Sequence, residues 1–158
     1  MLSMIALASA LSTAPLGVAV GESAPKPALG KAMQNEFSHS LTIEIQAASA
    51  NPLVLTYGSL TGGEWDRIPT PGSTLEPGDS ITYVNGVVSA YDALGGMISL
   101  SLPTGATFAI EFGWAVGGSV ACTAEPANLE TVAVNVELIN TLSDEPTCAV
   151  TITDRRAD

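Results

Sequence analysis

Positive charge is scarce in this chain: five Lys and Arg stand against sixteen Asp and Glu, a net charge of −11. Such a surface repels phosphate backbones, which excludes nucleic acid as a partner. It also forgoes the roughly 1 kcal/mol that each cation gains at an anionic leaflet, so any membrane partner is expected to be neutral or zwitterionic. Histidine occurs once and cysteine twice, with no Cys-x-x-Cys, which leaves few of the usual zinc ligands and no expected cofactor. Charged residues amount to only 13%, so the outer surface must consist largely of Ser, Thr, Asn and Gly. That composition is common in secreted β proteins and points to a secreted or cell-surface location. Helical periodicity is missing too, since no window of a dozen residues in the candidate domain repeats at 3.6.

What is present is enough apolar material for a core. At 158 residues and 46% hydrophobic, the chain has room for one domain of about 120 residues. Met1 to Val20 carries no charge and is mostly Ala, Leu, Met and Val. It has the composition of a signal-peptide core without a basic start, and Pro15 and Gly17 make it a poor membrane span. The expected organisation is a leader at 1–24, a linker at 25–38 around Pro25-Lys26-Pro27, and a single domain at 39–154. Cys122 and Cys148 most simply form one bridge, which would stabilise the fold by about 3–4 kcal/mol on the chain-entropy account. Two buried free thiols are the alternative.

Strict alternation marks the strands. Leu41, Ile43 and Ile45 share one face; Leu53, Leu55 and Tyr57 share another after the Asn51-Pro52 turn. The Gly58 to Gly96 stretch begins as a long loop with Gly62-Gly63, Pro69, Pro71-Gly72 and Pro77-Gly78. It then holds the alternating run Ser80 to Val84, a turn at Asn85-Gly86, a short strand at Val87 to Tyr91 and a closing Gly95-Gly96. Ile98 to Leu102 and Thr107 to Phe112 flank a hairpin at Pro103 to Ala106, with Trp114 continuing the face of Phe108, Ile110 and Phe112. Thr131 to Leu138 and Thr147 to Ile152 complete the set, with Cys148 on the core side. About eight short strands at this spacing predict an all-β, antiparallel β-sandwich.

Candidate chemistry is sparse. A nucleophilic triad needs a base, and His39 lies at the domain edge beside Ser38 and Ser40, the place of a surface histidine, so no catalytic residue is assigned and no enzyme is expected. Glu64 and Asp66 flank Trp65 and point the same way on extended backbone, about 7 Å apart. Such a pair could hold a cation or serve a glycosidase, although exposed carboxylates in an acidic chain are ordinarily just solvated. The aromatic residues are better candidates for contact with a ligand or a membrane: Trp65, Trp114, Tyr57, Tyr83 and Tyr91 each combine an apolar ring with a polar edge. Trp65, within the long loop, is expected to be exposed, whereas Trp114 and Tyr83 could equally be core.

Gly63-Glu64-Trp65-Asp66-Arg67-Ile68-Pro69, then Leu75-Glu76-Pro77-Gly78-Asp79-Ser80, then Gly95-Gly96 before a strand and a Trp-bearing strand, resembles the aegerolysin-like proteins, especially their bacterial crystal-protein branch. The resemblance spans about Leu41 to Gly118 and rests on Gly, Pro and Trp spacing. It implies a small acidic β-sandwich that binds neutral or zwitterionic membrane lipids, sometimes beside a larger pore-forming protein partner. Trp65 matches the family's loop Trp and Trp114 its later strand Trp. Without cationic steering, membrane affinity would have to come from apolar and aromatic loop contacts. Two other functions remain open on the sequence. One is a structural or interaction module that assembles through strand edges, including as a homo-oligomer. The other is a carbohydrate-binding module using Trp65 or Trp114, with Glu64 and Asp66 as acceptors.

Overall fold

The computed structural model describes residues 36–126 and 132–154. The expected leader at 1–24, the linker as far as residue 35, and Thr131 lie outside the described residues. Eight strands of seven residues or more carry the fold: β1 (His39–Ala47), β2 (Leu53–Gly62), β5 (Ser80–Val87), β6 (Leu94–Ser101), β7 (Thr107–Trp114), β8 (Val120–Pro126), β9 (Val132–Ile139) and β10 (Thr147–Asp154). Two short strands, β3 (Glu64–Trp65) and β4 (Thr74–Leu75), add an edge to each sheet. One sheet runs β3-β5-β1-β10-β9 and the other β4-β2-β6-β7-β8. All pairings are antiparallel except β1 with β10, whose parallel register aligns Ile43 with Cys148 and Ile45 with Val150. The all-β sandwich expected from the alternation is the observed architecture.

The period-2 residues build the core. Leu41, Ile43 and Ile45 of β1, Ile98 and Leu100 of β6, Phe108 and Ile110 of β7, and Val150 and Ile152 of β10 are all essentially without exposure. Each such side chain taken from water contributes about 1.5–3 kcal/mol, which is why the strict alternators hold their register. Cys122 of β8 and Cys148 of β10 form a disulfide between the sheets, with Cα atoms 6.2 Å apart. The alternative of free thiols is therefore removed.

The Gly58 to Gly96 stretch departs most from its expected form. It does not start as a loop, because β2 continues through Gly58 to Gly62 and pairs with β6 along the way. Asn85-Gly86 is not a turn: β5 runs straight through it, with β1 on one side and β3 on the other. Pairing on both edges leaves no room for the left-handed backbone that a two-residue turn requires. Val88 to Tyr91, expected in a strand, forms the turn after β5 instead. Gly95-Gly96 lies inside β6, where a Cβ on Gly96 would fall against the Ser59 carbonyl and the Phe112 ring. These glycines permit a close approach of strand to neighbour rather than a reversal. β8, with its small residues and weak alternation, had no counterpart among the expected strands.

A bulge separates Tyr57 from Leu53 and Leu55. The register of β2 on β6 shifts between Leu55, opposite Leu100, and Tyr57, opposite Ser99. Thr56 is the extra residue, and its hydroxyl donates to the Ser99 carbonyl at 3.0 Å. One inserted residue inverts the phase of all that follow it. Tyr57 consequently stands half-exposed on the outer face instead of joining the core.

Candidate functional site

The start of β1, the ends of β5 and β7, and the turns β5–β6, β7–β8 and β9–β10 converge at one end of the sandwich, as the pairs His39–Val87, Leu94–Trp114 and Thr147–Ile139 require. Each turn presents an apolar side chain at its tip. In the β5–β6 turn, the Asp92 amide bonds to the Ser89 carbonyl at 3.1 Å and the Tyr91 amide to the Ser89 hydroxyl at 3.2 Å, leaving Tyr91 85% exposed. In the β9–β10 turn, the Ser143 amide and hydroxyl both donate to the Asn140 carbonyl at 2.9 Å, and Leu142 is fully exposed. In the β7–β8 turn, Gly118 closes on Ala115 and Gly117 takes φ of 67°, which puts Val116 outward. Local hydroxyl-to-backbone bonds of this kind fix turn shape without any contribution from the side chain at the apex.

Between the β5–β6 and β7–β8 tips lies a groove of about 300 Å³ lined by His39, Ala90, Asp92, Leu94, Trp114 and the β7–β8 turn. His39 and Trp114 of its lining stack on each other, their rings 5.1 Å apart and inclined by 21°. The indole N–H of Trp114 donates to the Gly118 carbonyl at 3.2 Å, and His39 Nδ1 donates to the Ser38 carbonyl at 2.8 Å. The same Nδ1 faces Asp144 Oδ1 at 3.6 Å. Asp92, Asp144 and Glu145 are the charged residues of these turns, and no Lys or Arg lies in them.

The aromatic residues singled out from the sequence do not gather at one place. Trp114 and Tyr91 lie at this end, Tyr57 on the outer face of the second sheet, and Tyr83 in the core. Trp65 is not on an exposed loop: it occupies β3 opposite Asn85 and is partly buried against the core. Its indole meets Tyr83 edge-on at 6.1 Å and Phe112 of the other sheet at 5.7 Å. Pairing of β3 with β5 turns that ring inward, because two residues of ladder suffice to fix which face a side chain takes. Burial pushes the Tyr83 phenol above its usual pKa, partly offset by the nearby Arg67 charge and a hydrogen bond with Ser73.

Glu64 and Asp66 flank Trp65 on the solvent side, both exposed. Among the described residues, no three His, Cys, Asp or Glu side chains are grouped to hold a metal ion. Val88, Val116 and Leu142 were missed by sequence reasoning. The available signal was a large apolar residue inside a turn-forming context, Val88-Ser89, Val116-Gly117 and Leu142-Ser143, where a polar residue is the ordinary choice.

No protein-family model and no curated protein matches the chain. Solved structures do. The chain is similar to IP-1A from Alcaligenes faecalis, at a TM-score of 0.59 and 15% identity over 77% of this chain and 95% of that one. It is also similar to the lipid binding protein Nakanori, at a TM-score of 0.55 and 10% identity over 75% of this chain and 71% of that one. At such identities the shared property is the fold, and this chain adopts the same β-sandwich as both.

Proposed function

We propose that the protein is a non-enzymatic lipid-binding sandwich that meets a membrane with the end formed by the β5–β6, β7–β8 and β9–β10 turns. One observation carries the reading. Of the seven large hydrophobic side chains exposed among the described residues, five (Val88, Tyr91, Val116, Ile139 and Leu142) lie at this end. The described turns of the opposite end present Glu76, Pro77, Asp79, Pro103 and Thr104, and no large apolar side chain. Apolar tips around a half-buried Trp suit shallow insertion at the headgroup boundary, while the acidic rim favours a neutral or zwitterionic surface over an anionic one. The likeness to a structure described as a lipid binding protein supports the same reading.

The resemblance to aegerolysin-like proteins extends it to neutral or zwitterionic sphingolipids, a secreted or cell-surface location and cooperation with a larger pore-forming protein. Co-sedimentation with neutral sphingolipid-containing vesicles tests the core of the reading. Tyr91→Ser and Leu142→Ser, both at fully solvated tips, are expected to lower vesicle binding while leaving the thermal midpoint unchanged. Failure to sediment with any neutral or zwitterionic lipid mixture would refute it. Trp65→Ala does not serve as the test, because removing that indole disturbs the contacts with Tyr83 and Phe112.

A further inference from the structure

We infer that the outer face of the second sheet carries a binding trough for a neutral saccharide, running across the strands from Tyr57 to Glu125. The registers place four residues in one row: Tyr57 of β2 opposite Ser99 of β6, Ser99 opposite Ala109 of β7, and Ala109 opposite Glu125 of β8. An aromatic ring stands at one end and a carboxylate at the other. The two middle positions are small, so the row forms a trough with an open volume of about 490 Å³ that Thr107 also lines. Glu111 and Thr123, paired with each other in the next outward row, rim a smaller hollow continuous with Ala109 and Glu125.

The row exists only because of the bulge at Thr56. Regular pairing would have sent Tyr57 into the core, whereas the inserted residue aims it outward, and the Thr56 hydroxyl bond to Ser99 holds that arrangement. A half-exposed tyrosine with no ring partner among the described residues is free to stack on the apolar face of a pyranose. Carboxylates are pure acceptors that suit paired sugar hydroxyls, and threonine hydroxyls both donate and accept. Three strand spacings separate the ends, about 14 Å, the length of two to three hexopyranose rings. Among the described residues no Lys or Arg lines the trough, and Glu125 with Glu111 repels anions, so uronic, sialylated or sulfated sugars are excluded.

This trough is separate from the apolar turns, and the two sites stand or fall independently. Saturation-transfer NMR and calorimetry on the intact protein, with cellotriose, maltotriose, chitotriose and lactose as neutral probes and 3′-sialyllactose as the anionic comparator, provide the test. At least one neutral probe is expected to bind, and sialyllactose is not. Tyr57→Ala should weaken that binding about tenfold or more, the scale of one lost ring contact. Ala109→Gln, which fills the floor of the trough without touching the core, should abolish it, and both variants should keep the wild-type vesicle binding. The inference is overturned if no neutral probe binds, if sialyllactose binds equally well, or if binding survives in both variants.

Discussion

Asn85 shows how much one side chain can settle. It is fully buried in β5, and its amide nitrogen donates to the carbonyls of Gly62 at 3.1 Å and Glu64 at 3.2 Å, while its oxygen has no partner among the described residues. These bonds clasp the tight connection from β2 to β3, where Gly63 takes φ of 77° and packs against the Asn85 amide. Asn85→Ala should therefore cost about 1–3 kcal/mol, with two hydrogen bonds lost from a buried site, read as a lower urea midpoint. Tyr83 offers a second residue-scale outcome. Its pKa is raised in the folded state, so the fold favours the neutral phenol. That contribution is fully present below the ordinary value of 10.0 and is lost as pH rises through the folded pKa. Urea midpoints should accordingly fall above about pH 10, and Tyr83→Phe should flatten that fall.

At the scale of elements, β2 and β6 carry features that alternation alone does not reveal. The bulge at Thr56 divides β2 into a first half that fills the core with Leu53 and Leu55 and a second half that presents Tyr57 outward. Along β6, glycine at 95 and 96 lets β2 and the Phe112 ring close over the strand. Gly96→Ala would set a methyl group against the Ser59 carbonyl, a backbone atom that cannot swing aside. A loss of about 1–3 kcal/mol is expected, with a drop in thermal midpoint of several degrees and altered near-UV ellipticity from displaced aromatic rings. Gly-Gly and Asn-Gly pairs were legible as positions of special backbone demand. Which demand, reversal or close approach, depended on neighbouring strands far away in the chain.

At the scale of the whole molecule, the disulfide and the polarity of the two ends matter most. Cys122 and Cys148, 26 residues apart, tie β8 of one sheet to β10 of the other. Replacing both by Ser should lower stability by about 3–4 kcal/mol, measured by denaturant titration beside the oxidised protein. Among the described residues, hydrophobic exposure is concentrated at the His39–Trp114 end, and the described turns of the opposite end present no large apolar side chain. On the proposed function, such a distribution would orient the molecule at a membrane interface before any specific contact forms.

The sequence by itself determined the class of fold, because period-2 alternation in β1, β7, β9 and β10 leaves one low-energy way to bury their apolar faces. Its charge balance also set the expectation of which partners are disfavoured, since net charge adds up irrespective of folding. Only the tertiary structure decided which aromatic residues are free. Trp65 turned inward once β3 paired with β5, Tyr57 turned outward at a one-residue bulge, and Tyr91 reached solvent when the strand expected around it became a turn. Each outcome rests on pairing between segments distant in sequence, and local propensity carries no information about such partners.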